Sequence, residues 1–132
     1  MTIEVFKLVR NTPHKIVYTS LQISPFMLIY KLDRKITPLE NSAIFAYESL
    51  VSAKRNKGPN QSILICEAEL HPLNNQLHII PYVDCFTTEC MLCAFWQNPK
   101  NWYMSQPHTI PKWPMPLHTV LCSWVIPNAV WE

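Results

Sequence analysis

The chain has 132 residues, 48% of them hydrophobic, and a formal net charge of +2, which suits one domain spanning 1–132 and excludes a disordered protein or a strongly basic nucleic-acid binder. Its one glycine, Gly58, set against twelve prolines, leaves no means of writing a phosphate-cradling loop or a dinucleotide-binding turn. The longest strongly apolar runs, 26–30 and 91–96, fall well short of the roughly 20 residues that cross a bilayer.

Met1 to Val5 lacks the basic region and apolar core of a secretory leader. The five cysteines, odd in number and without paired spacing, suit reduced thiols better than a disulfide framework. A cytoplasmic protein without a membrane segment is therefore expected. Charge is uneven: residues 1–60 carry nine Lys/Arg against four Asp/Glu, and 61–132 carry two against five.

In chain order, 4–10 reads as an opening strand and 15–19 as a second, with Asn11-Thr12-Pro13 turning between them. The continuously apolar 26–32 reads as a buried strand, central in a sheet. Residues 42–57 hold the helix signal, with two readings: a long helix capped at Asn41 or Ser42, or a strand over 43–47 followed by a helix over 50–57 capped at Ser49. The second is preferred, because Lys54, Arg55 and Lys57 then sit in the last turn and Gly58-Pro59 stops it.

Residues 62–70 and 76–82 read as two strands paired antiparallel through the 71–75 turn. Residues 90–96 fit either a short helix or a strand, and 119–126 a closing strand halted by Pro127. Between them, about 98–118 is Pro- and Trp-rich with little regular structure. The expected fold is α+β, a mostly antiparallel sheet of five to seven strands with one main helix packed on one face.

Three constellations carry candidate chemistry. All five tryptophans lie in the last 37 residues, and from Cys90 to Trp131 only Lys100 and Lys112 are charged. Stiff, aromatic-bearing chain of this kind suits an interface, so Trp102, Tyr103, Trp113, Pro114 and Trp131 are the candidate binding surface for a protein partner or a second copy of the chain. The same side chains could instead fold back over the protein's own sheet. Cys90 and Cys93 have the spacing of a zinc knuckle that His118 and Cys122 could complete, although Met91, Leu92, Ala94 and Phe95 surround the thiols with core-type residues and favour buried cysteines.

Glu67 and Glu69 share a face of one strand. With Arg10 on an early strand and Thr19-Ser20 between, Glu67-Ala68-Glu69 resembles the motif order of ADP-ribosyltransferases of the arginine-serine-glutamate type. That resemblance implies a catalytic set of Arg10, Ser20, Glu67 and Glu69, with Glu69 orienting the nicotinamide ribose and Arg10 holding the cofactor phosphates. Otherwise the two carboxylates sit on the wet face of a strand. The preferred expectation is a non-enzymatic interaction or regulatory domain with no cofactor and no nucleic-acid partner. A compact transferase and a structural subunit of a larger assembly are the alternatives.

Overall fold

The structure is a computed structural model that describes residues 2–13, 28–77, 93, 95–102 and 118–131, together with the backbone of 18–19, 79–81 and 112–114. Its elements are β1 (Ile3–Asn11), β2 (Tyr18–Thr19), β3 (Ile29–Tyr30), β4 (Ile44–Tyr47), α1 (Leu50–Asn56), β5 (Gln61–Leu70), β6 (Ile79–Pro81), β7 (Lys112–Pro114) and β8 (Thr119–Trp131). Four strands of four residues or more form a ring. β1 pairs with β5 from Ile3↔Ala68 to Arg10↔Gln61, and β5 pairs with β8 from Ile63↔Trp131 to Leu70↔Cys122. The start of β8 pairs with β4, which returns to β1 through the pair Phe6↔Tyr47. All these pairings are antiparallel, and closure leaves the long strands few unpaired edges.

Alternation of side chains along each strand then decides what goes inside. Val5 and Val9 of β1, Ile44 and Ala46 of β4, Leu64, Cys66 and Ala68 of β5, and Val120 and Cys122 of β8 fill the interior in one buried cluster, joined by Tyr30 and Val125. The intervening residues face outward into two further clusters. Leu8 and Ile63 meet Ala53 of α1 on one outer face. Ala43 and Leu121 meet Leu77, Phe95, Trp96 and Trp102 on another.

The expected five-to-seven-stranded sheet with one main helix is corrected: the mostly antiparallel sheet rests on four strands and the helices are small. The apolar 26–32 run is not central. Its described part contributes only the two-residue β3, at the edge beyond β2, with Ile29 exposed. Nor do 62–70 and 76–82 pair with each other: β5 is flanked by β1 and β8, while β6 pairs with β7. The 71–77 turn carries the chain away because the His71 N–H and the Leu121 N–H both bond across it, to the Leu121 carbonyl and to Asn74 Oδ1.

β8 also runs through Pro127 to Trp131. Pro127 lies opposite Cys66 beside a register shift in β5, where the ladder is already interrupted and a missing N–H costs little. Its carbonyl accepts the Asp33 N–H, and Ile36 exchanges two bonds with Val125, so the 33–36 segment covers this edge of β8.

α1 starts at the Ser49 cap, whose hydroxyl accepts the Ser52 N–H at 3.2 Å, and buries Ser52 and Ala53. Lys54, Arg55 and Lys57 are exposed, Lys54 and Arg55 in the last turn. Gly58 does not supply a left-handed stop: the cap residue is Lys57 in extended backbone, and no glycine has positive φ. Asn41, Asn60 and Asn75, with Asp33 and His118, take the left-handed positions instead. Asn and Asp tolerate that region better than other side chains, and so this chain turns without glycine. Among the described residues no helix is long and apolar enough to cross a membrane.

Candidate binding cleft

The described members of the residues singled out from the sequence do not come together. Arg10 pairs with Gln61 at one end of the β1–β5 ladder, whereas Glu67 and Glu69 lie six and eight residues further along β5. At about 3.3 Å per residue that is roughly 20 and 26 Å. Glu69 is engaged on the outer wall, accepting the Trp124 indole N–H at 3.0 Å, while the Lys35 ammonium lies 4.7 Å over the same ring. Ser20 lies outside the described residues.

Of the candidate metal ligands, Cys122 faces the ring interior and Cys93 packs against the cluster on the outer side of β8. His118 is exposed and its Nδ1 lies 2.7 Å from Glu48 Oε1. Cys90 lies outside the described residues. Among the described residues, no three His, Cys, Asp or Glu side chains gather as metal donors.

Trp102 is 1% exposed and meets Phe95 edge-on at 5.7 Å, so it serves the core. Trp131 is half-buried against the α1 cluster, with the Lys54 ammonium 4.8 Å over its ring. These two tryptophans therefore belong to different clusters. Tyr103 and the side chains of Trp113 and Pro114 lie outside the described residues.

The ring interior holds one group that the sequence reading passed over. Alternation sets Lys7 between Val5 and Val9, facing inward, and its ammonium donates to the Phe45 carbonyl at 2.7 Å across the β1–β4 seam. Burial brings its pKa down to about 8, against the pull of Cys122 and Cys66. Burial also pushes the Cys66 thiol up to about 12 and the Cys122 thiol up to about 11, and holds the Tyr30 hydroxyl well above its ordinary value. Both thiols therefore stay protonated near neutral pH, and protonated buried thiols are inert. The two thiols are structural members of the interior.

Among the described residues a concave feature lies outside the ring, over the second cluster. It is an open cleft of about 700 Å³, within the range of ligand pockets. One wall is the Leu39–Asn41 turn, fixed where the Ser42 N–H and hydroxyl both bond to the Leu39 carbonyl. Another is His71 and Leu73, pinned to β8 through the bonds that Leu121 makes. The third is formed by Cys93 and 96–100, helical at 95–97 and turning over 98–100.

Trp96 reaches the cleft from a fixed position, packed edge-on against Phe95 at 4.8 Å and tilted against Phe45 at 5.7 Å. His71 is oriented as well. Its Nδ1 accepts the Leu73 N–H at 3.0 Å, so the neutral ring carries its proton on Nε2. Partial burial lowers its pKa, which keeps that form at pH 7.

No protein-family model matches the chain, and no curated protein or solved structure matches it.

Sequence reading missed this cleft because its walls come from two turns and a short partly helical segment far apart in the chain. The one available signal was the Leu70-His71-Pro72-Leu73 step, where a histidine precedes a proline turn directly after a strand.

Proposed function

We propose that this protein is a small non-enzymatic binding domain that acts in the cytoplasm and holds a protein partner in the cleft between the 39–41 turn, the 71–73 turn and the 93–100 segment. The observation that carries this reading is the cleft itself: about 700 Å³ of concave surface whose walls are hydrogen-bonded into place before any ligand arrives. Preorganised walls lower the ordering cost of binding. Part of the sparsely charged C-terminal third, Cys93 and Trp96 to Lys100, forms one side of it. The separation of Arg10 from Glu67 and Glu69 supports binding over transfer chemistry, and the free thiols of Cys66, Cys93 and Cys122 support a reducing compartment.

Two exposed residues on different surfaces provide the test. Leu39 is 44% exposed at the cleft, and Val51 is 60% exposed on α1. On size-exclusion chromatography of cell extract the wild-type chain should elute in a complex, which Leu39→Glu should dissolve and Val51→Glu should leave intact. A complex unchanged by Leu39→Glu would reject the cleft as the site.

A further inference from the structure

The cleft's polar groups narrow what it can hold, given the binding role proposed above. Its apolar lining is Leu39, Leu73, Trp96 and Pro99. Around that lie three side-chain amides, Asn41, Gln97 and Asn98, all exposed and none in a side-chain hydrogen bond among the described residues. The charged lining side chains are one of each sign, Glu40 and Lys100, so the cleft carries no net charge. An anion would call for donors and cations alone, and a cation for carboxylates. Amides offer a donor and an acceptor together, as the peptide group does.

We propose that the cleft binds an uncharged stretch of extended peptide from a partner protein, with one aliphatic or aromatic side chain anchored on Trp96 and Leu73 and a backbone carbonyl taken by the His71 Nε2–H. The imidazole suits this role because its other nitrogen is already committed to the Leu73 N–H. An open cleft also lets a chain enter on one side and leave on the other. The three amides then pair with peptide groups on either side of the anchor.

The probe is acetyl-glycyl-leucyl-glycine N-methylamide, titrated into the ¹⁵N-labelled protein and followed by NMR, beside analogues with aspartate or lysine in place of both glycines. The neutral probe should shift the Trp96 indole and the Leu73 amide and bind several-fold tighter than either charged analogue. His71→Asn supplies a carbonyl oxygen for the Leu73 N–H but removes the Nε2 donor, so it should weaken the neutral probe about fivefold, the worth of one hydrogen bond, with the rest of the spectrum unchanged. Equal or tighter binding of a charged analogue would overturn the neutral-peptide inference while leaving the cleft as a binding site. Absence of any shift at Trp96 and Leu73 would overturn the inference, and an intact complex in Leu39→Glu would separately overturn the binding reading on which it rests. Unchanged affinity in His71→Asn would remove the histidine from the recognition scheme and overturn that part of it.

Discussion

Lys7→Met removes the charge inside the ring, and its effect can be worked from the site. Lowering the lysine pKa from 10.5 to about 8 means that carrying the proton costs the folded state about 3 kcal/mol at pH 7. Methionine is nearly as long and removes that cost, but it leaves the Phe45 carbonyl without its donor, a loss of about 1–3 kcal/mol. The two effects nearly offset at pH 7, so the informative quantity is the slope with pH.

Between pH 8 and 10.5 the unfolded chain binds the Lys7 proton and the folded chain does not, so this group alone makes stability rise with pH, by about 1 kcal/mol between pH 7 and 9. The Cys66 and Cys122 thiols cancel roughly half of that rise as they begin to ionise in the unfolded chain. Above pH 9 the sign reverses. Cys66 and Cys122, joined at higher pH by Tyr30 and Tyr47, keep their protons in the fold and lose them when it opens, so several groups now favour the unfolded state against one that opposes it. Urea denaturation under reducing conditions should therefore give a stability maximum near pH 9. In Lys7→Met the rise from pH 7 to 9 should vanish while the fall above pH 9 remains. A flat wild-type profile from pH 7 to 9, or the same rise in the variant, would refute the buried, destabilised ammonium.

Three smaller predictions follow from local geometry. Ser49→Ala removes the cap to the Ser52 N–H and should cost about 1 kcal/mol in urea denaturation. Gly58→Ala should be neutral or stabilise by up to about 1 kcal/mol, because φ there is not positive and an added Cβ meets nothing closer than Gln61 Nε2 at 3.5 Å; a loss above that size would show that glycine is required. Trp124→Phe keeps a ring under Lys35 but loses the bond to Glu69, and should cost below about 1 kcal/mol because the pair is at the surface.

What could be read from the sequence was local and what could not was long-range. The 4–10 and 62–70 strands, the Ser49 cap and the exposed Lys54 and Lys57 follow from alternation, capping chemistry and a short helical stripe, all contained within ten residues or so. Closure of the ring is different in kind. It needs β8 to pair with β4 at its start and with β5 along the rest, and no local pattern specifies two partners for one strand. The apolar 26–32 run misled because continuous hydrophobicity fits both a central strand and an edge segment, in which Tyr30 is the one buried residue among those described. Pro127 misled because a strand tolerates proline where its ladder is already broken. Lys7 was legible, since it occupies the inward phase between Val5 and Val9, but a charge there reads as an exposed face until the other strands close around it.

The claim that the cleft is where the partner sits is tested most directly by placing the photo-reactive residue benzoylphenylalanine at Leu39 in one variant and at Val51 in another, then irradiating living cells. Both positions are exposed, one at the cleft and one on α1. The account predicts a discrete protein adduct from position 39, its yield reduced by His71→Asn, and none from position 51. The same adduct from both positions, or one from position 51 alone, would contradict it.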